Sequence, residues 1–311
     1  MQITFPHMGD MVVAVKALFQ ELGFTVVPPP PISRKTLNLG VKYSPEFACL
    51  PFKINLGNFM EALDRGADMI IMGGGCGPCR FGYYAEVQEE ILREMGYDFS
   101  MYVIEPGIFS NLRKIRESFG PVSARKVLSA VRLAWNKALA IDEIYRLVLL
   151  KRAREAKEGQ VNKLYADFLR KIDETMSVDR VKRIKREYRE ILEDMTGAYK
   201  RGIPLKVGLV GEIYLVLEPF VNLEIEKKLG ELGVEVERDL YMTNWLLNFL
   251  HLRNDGKLIK RAASKYLDSF VGGHGIDTIG NTVRYARKGF DGVIQLGPFT
   301  CMPEIVARSI L

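Results

Sequence analysis

Asp68-Met69-Ile70-Ile71-Met72-Gly73-Gly74-Gly75-Cys76-Gly77-Pro78-Cys79-Arg80 is the stretch that decides the fold. Met69 to Met72 is an apolar run of strand length, closed by a loop of glycine and proline. Behind the loop, Tyr83 to Met95 reads as a helix. Strand, glycine-rich turn and helix in that order make the unit from which parallel sheets are assembled. The plan extends in both directions. Upstream, Ile3 to Phe5 reads as a strand, and Val12, Val13, Val15, Leu18 and Phe19 as the apolar side of a helix ended by Gly23. Phe24 to Val27 is a second strand, stopped by Pro28 to Pro31. A helix from about Phe52 to Arg65 leads back into the opening strand, and Ser100 to Ile104 is the next one. Far downstream the pattern returns: strand Lys206–Val210, helix Pro219–Leu232, strand Val234–Glu237, helix Thr278–Lys288 and strand Gly292–Leu296. The prediction is an α/β protein with two mainly parallel sheets.

Between the halves the composition changes. Residues 111–200 carry 22 Lys and Arg against 13 Asp and Glu, while the whole chain is +6, so the rest is net acidic. Only three glycines fall there, Gly120, Gly159 and Gly197. Ser123 to about Lys157 and Leu164 to about Arg201 read as two long helices, the first capped by Ser123. Val127, Val131, Ala134, Ala138, Ile141, Tyr145 and Val148 give the first helix one apolar side. The expected organisation is an α/β domain over 1–110, a basic helical insertion over 111–203 and a second α/β domain over 204–311. Lys182, Arg183, Lys185, Arg186 and Arg189 cluster on the second helix. They read either as a solvated face balanced by nearby acids or as a surface for an acidic partner or phosphorylated ligand.

Composition narrows the class. The chain has 311 residues, 48% hydrophobic and 26% charged, the make-up of a globular protein of two ordinary domains. No run of about 18 apolar residues predicts a membrane span, and Met1 to Phe5 does not open a secretory signal. Four cysteines are too few for a disulfide-stapled chain of this length, which points to a reducing cytoplasm. No zinc-finger, helix-turn-helix or RNA-recognition signature is present, so nucleic acid is not an expected partner.

The cysteines are Cys49, Cys76, Cys79 and Cys301. Each lies in a loop or at an element boundary, not inside an apolar strand or helix where an inert cysteine packs. Cys76, Cys79 and Cys301 follow the carboxyl ends of strands, the edge where open α/β sheets bind ligands. Helix N-termini at that edge favour thiolates and anionic groups. Spacing alone leaves three readings open: an iron–sulfur cluster, a structural zinc held by four cysteines, or redox-active thiols.

Four stretches narrow these readings. Phe5-Pro6-His7-Met8-Gly9, Lys42 to Lys53, Cys79-Arg80-Phe81-Gly82-Tyr83-Tyr84-Ala85-Glu86 and Phe299-Thr300-Cys301-Met302-Pro303-Glu304 resemble the 2-hydroxyacyl-CoA dehydratase superfamily. The nearer match is the branch labelled CoA-substrate-specific enzyme activase-related protein. The resemblance implies two Rossmann-like domains, a [4Fe–4S] cluster near their interface held by the four cysteines, and an ATP-hydrolysing activator protein that supplies low-potential electrons. It also implies an anaerobic metabolic setting and subunit pairing as a dimer. Relatives continue through a further strand and helix, so the second domain is expected to be incomplete at Leu311.

Dehydratase subunits leave one iron open by using three cysteines. Four ligands would close the cluster and suit electron transfer. Two functions follow from the resemblance: a cluster protein that handles electrons, or a dehydratase-like lyase acting on a CoA thioester at an open iron. A non-redox protein with structural zinc is the third. His7 and His274 are the candidate proton donors, and Glu46, Lys53, Arg80 and Glu304 flank the cysteines as second-layer candidates.

Overall fold

The structure, a computed structural model, describes residues 1–75, 78–104, 123–195, 197, 204–250, 252 and 254–311. The chain forms two compact units: Met1–Met8, Val15–Ala134 and Pro298–Met302 make one, and Gly9–Ala14, Trp135–Gly297 and Pro303–Leu311 the other.

The first unit is built on strands β1 (Gln2–Thr4), β2 (Thr25–Val26), β3 (Met69–Gly73) and β4 (Ser100–Ile104). They pair in the order β2-β1-β3-β4, all parallel, with Ile3 opposite Met69 and Met69 opposite Ser100. Between β1 and β2 runs α1 (Val12–Glu21), ended by Gly23 at φ +90, as the sequence predicted. The link from β2 to β3 holds α2 (Arg34–Tyr43) and α3 (Leu50–Leu63); α4 (Tyr84–Glu94) joins β3 to β4.

Helix α3 is the core of this unit. Twelve of its fourteen residues are buried, with Phe52, Leu56, Phe59 and Met60 packed against Ile70 and Met72 of β3 and Tyr84 and Leu92 of α4. Two of its buried polar residues, Asn58 and Glu61, are hydrogen-bonded, Glu61 accepting from the Thr36 hydroxyl at 2.5 Å. Asn58 donates to Pro30 O at 2.8 Å and accepts from the His7 N–H at 3.4 Å, fixing the proline-rich loop and the exit from β1. Helix α2 lies so close to α3 that a Cβ on Gly40 would fall 1.7 Å from Lys53 O, and one on Gly57 2.0 Å from Thr36 O. Helix α2 is absent from the sequence-based expectation, because Arg34-Lys35-Thr36-Leu37-Asn38 offers no apolar run. Its start is set by a capping box, with Ser33 accepting from the Thr36 N–H and Thr36 from the Ser33 N–H.

The second unit carries β5 (Lys206–Gly211), β6 (Glu235–Arg238) and β7 (Gly292–Leu296), parallel in the order β6-β5-β7. Both sheets are parallel throughout, the expected α/β, Rossmann-like class. Preceding this sheet in the chain are α5 (Ala124–Arg152), α6 (Gln160–Glu174) and α7 (Val178–Asp194); within and after it come α8 (Ile213–Leu217), α9 (Ile225–Glu231), α10 (Met242–Phe249), α11 (Asp255–Ala263), α12 (Gly275–Arg287) and α13 (Met302–Ile310).

Several expected helices change here. The single helix expected from Leu164 to Arg201 is two helices broken at Thr175–Ser177, where Thr175 is extended and Ser177 accepts the Arg180 N–H as a new N-cap. The helix expected from Pro219 starts only at Ile225. Residues 219–224 turn instead, with Asn222 donating to Leu215 O at 2.8 Å and accepting from the Ile225 N–H at 3.3 Å. In α5, Ala138, Ile141 and Val148 of the predicted stripe are buried, while nearer the start Val131 is exposed and Ala130 and Leu133 are buried instead.

Inward-facing residues of α6 (Val161, Tyr165, Phe168, Ile172) and α7 (Val181, Ile184, Tyr188, Leu192) follow helical periodicity. Tyr145, Tyr165, Phe168 and Tyr188 form a continuous row of ring contacts, tilted, stacked and tilted in turn, with centroids 5.1, 6.0 and 5.5 Å apart. The row is joined to the sheet through Arg238 of β6. This buried guanidinium meets Glu226 at 3.1 Å, donates to Val216 O at 2.8 Å and lies over the rings of Tyr145 and Tyr241. Tyr145 donates to the same Glu226 at 2.8 Å. None of the described helices is long and apolar enough to cross a membrane.

Candidate metal centre

In the first unit β1 and β3 are neighbours, and the connections from them leave in opposite directions across the sheet. Ligands bind at the carboxyl ends of such a strand pair. Here β1 exits into Phe5-Pro6-His7, and β3 exits into Gly73-Gly74-Gly75, the start of the cysteine loop. Because α3 runs straight into β3 as a crossover helix, its N-terminus, preceded by Cys49, lies toward the same edge.

The glycines of that loop are there for close packing. Gly74 N–H donates to Ile104 O at 2.7 Å, continuing the β3–β4 pairing. A Cβ on Gly75 would stand 2.8 Å from the Phe81 ring and 3.1 Å from the Gly82 N, so only glycine admits this approach. Phe81 and Gly82 belong to a 3-10 turn, Arg80–Tyr83, that Cys79 precedes.

Cys49 is buried and Cys79 half-buried. The Cys49 Sγ is hydrogen-bonded to the Tyr84 hydroxyl. Tyr84 packs edge-on to Phe52, three residues past Cys49, at 5.2 Å, and to Phe81, two residues past Cys79, at 5.3 Å. One side chain thus holds both cysteine loops. Arg80 donates to Phe47 O, and Lys53 to Glu46 O at 3.0 Å, so both cations tie down the segment before Cys49. Glu46 is exposed, and among the described residues only its backbone oxygen takes part in this arrangement.

Cys301 is buried, follows β7 and directly precedes α13; its N–H donates to Pro298 O at 3.2 Å, and Thr300 before it takes φ 62. Residues Pro298–Met302 are counted in the first unit, with Cys49 and Cys79. All three described cysteines share one construction: each is the residue immediately before a helix or 3-10 turn. Open N–H groups at such starts favour negative charge; in α3 and α13 the second position is Pro51 and Pro303, which supply none, and the Phe52 N–H donates to Cys49 O at 3.0 Å. The chemistry of the cysteine donors fits a thiolate-bound metal or cluster. Cys76 lies outside the described residues. Among the described residues, no three His, Cys, Asp or Glu side chains are gathered for a metal ion.

The remaining candidates divide. His7 is half-buried beside Asn58 at the end of β1. His274 and Glu304 belong to the second unit, in a group the sequence did not reveal. His274 precedes α12, with Nδ1 3.2 Å from Asp277. Burial works against its charge, but the bond to Asp277 and the charges of Asp277, Glu212 and Glu304 outweigh it and raise its pKa. Glu304 accepts from Thr278 at 3.0 Å and Gln295 at 2.8 Å, and burial raises its pKa in spite of these bonds. Glu212, directly after β5, accepts the Leu215 N–H at 3.0 Å and is raised by burial as well. Tyr84 and Glu212 went unnoticed at the sequence level, since nothing in the local pattern distinguishes them from core and loop residues.

No curated protein matches the chain. Over residues 7–73, from His7 through Cys49 to the end of β3, the chain matches the family described as the CoA enzyme activase uncharacterised domain.

Proposed function

We propose that this chain holds a [4Fe–4S] cluster through Cys49, Cys76, Cys79 and Cys301 and handles low-potential electrons supplied by an ATP-hydrolysing activator. The supporting observation is the common placement of the three described cysteines, each ahead of a helix or 3-10 turn, where open N–H groups favour an anion. The activase-type match over 7–73 includes Cys49 and supports such a partner in general terms. When bound, the cluster would supply one-electron redox chemistry. The chain's own groups have separate tasks. The thiolates bind, and the Tyr84 hydroxyl orients Cys49 Sγ. Burial of Cys49 and Cys301 excludes water. Arg80 and Lys53 hold the preceding loop and bring positive charge to it.

Purification without oxygen, followed by iron, acid-labile sulfide and zinc analysis, tests the proposal. About four iron and four sulfide per chain, with a paramagnetic signal on reduction, is the expected result. One zinc and no sulfide would refute it. Single Cys→Ala variants then count the ligands: cluster loss in all four supports the closed, electron-transfer form. Retention in Cys301→Ala would exclude that residue and reopen dehydratase-like chemistry on a CoA thioester.

A further inference from the structure

The second unit carries a groove of about 350 Å³ between α5 and α7. Asn136, Leu139 and Val181 line one part of it, and Lys182, Lys185, Arg186 and Arg189 the other. The four cations arise from the amphipathic pattern of α7. Val181, Ile184, Tyr188 and Leu192 face the core, so positions 182, 185, 186 and 189 share the flank beside α5. At 1.5 Å rise per residue they span about 10 Å.

This flank is not neutralised. Lys185 reaches Glu143 at 2.8 Å and Arg189 reaches Glu193 at 2.8 Å, both at exposed or half-exposed positions where such pairs are weak. Lys182 and Arg186 meet no carboxylate among the described residues. Like charges four apart on a helix disfavour it, and this arrangement occurs twice here, at 182/186 and 185/189. A filled groove would relieve that repulsion.

We propose that the groove binds a nucleoside di- or triphosphate, with its phosphates on Lys182 and Arg186 and its base or sugar against Leu139 and the aliphatic stems of Lys185 and Arg189. The volume lies in the range of small-molecule sites, about 300–1,000 Å³. A stretch of about 10 Å is short for a protein partner, which needs roughly 800 Å² on each side. The partly apolar lining has no use for a bare anion.

The test is calorimetric titration of the intact chain with ADP, with inorganic pyrophosphate and with hexaglutamate, in metal-free buffer at low and physiological salt. ADP should saturate at one per chain and bind several-fold tighter than pyrophosphate. Lys182→Ala and Arg186→Ala should each weaken ADP about tenfold, as expected for one charge-assisted hydrogen bond. Both positions are exposed, and unchanged circular dichroism would exclude misfolding. The proposal is overturned if ADP binds no tighter than pyrophosphate, if hexaglutamate competes as well as ADP, or if the two variants bind ADP like the parent chain.

Discussion

Tyr84 offers the sharpest test of how the cysteine loops are held. It is buried, its hydroxyl meets Cys49 Sγ, and its ring meets Phe52 and Phe81 edge-on. Tyr84→Phe removes the hydroxyl alone. The cost in stability should be about 1 kcal/mol, the net worth of one hydrogen bond, because both ring contacts remain. If Cys49 ligates the proposed cluster, the same change withdraws a hydrogen bond from a ligand sulfur. Reduction adds negative charge that this bond stabilises, so the potential should fall. About 1 kcal/mol on a one-electron couple corresponds to roughly 40 mV, given 59 mV per tenfold. Tyr84→Ala removes the ring as well and should cost about 3–5 kcal/mol. It should also lower iron and sulfide content, since the Cys49 and Cys79 loops lose their shared support. Urea unfolding of the metal-free chain, metal analysis and an EPR-monitored redox titration read the three effects. If Tyr84→Ala costs no more than Tyr84→Phe and retains full iron, the ring does not hold the loops and the reasoning fails.

Other parts of the molecule can be tested more simply. Glu226→Ala strands the buried Arg238 charge and should cost about 3–5 kcal/mol in urea unfolding; replacing both residues with apolar ones should recover most of the loss. Gly57→Ala places a Cβ 2.0 Å from a backbone oxygen of α2, and should lower stability by about 1–3 kcal/mol or more, while the exposed Gly96→Ala serves only as a test of positive-φ strain. Burial raises the Glu304 pKa, so the folded protein binds this proton more tightly than the unfolded chain. Its ionisation therefore costs stability progressively as pH rises from the ordinary carboxylate range through the folded pKa. Glu304→Gln should gain on the parent chain over that window, and equal stabilities at every pH would disprove the assignment.

How much could be read from the sequence depended on whether local pattern or tertiary contact set the structure. Strand β3 was legible because a buried parallel strand is an apolar run bounded by glycine, and β4 and β7, only partly buried, because each is a short apolar run bounded by turns. The end of α1 was legible because Gly23 supplies a positive φ. Helix α2 was not, since its stability comes from a capping box and a glycine-to-backbone approach to α3, neither of which needs an apolar stripe. The α6–α7 break was hidden because Thr175-Met176-Ser177 has no glycine or proline to mark it. At the candidate site the cysteines and their helix-start positions were visible in the chain. Tyr84 was not, although it stands inside the quoted Cys79–Glu86 stretch. Its role depends on meeting Phe52 and Cys49 from a distant segment. Glu212 likewise gains its importance from the His274 and Glu304 charges near it.

The position of each described cysteine just ahead of a helix or 3-10 turn bears on how the protein matures. Where a small domain folds around its metal, chelation and unfolding are one event. Cys49 instead precedes a helix fixed by its own apolar burial, and that helix owes nothing to a bound ion. If the proposed cluster is bound, loading and folding are then separate steps: a chain made before the cluster arrives would already be shaped to receive it, and one that lost it could be refilled without being remade.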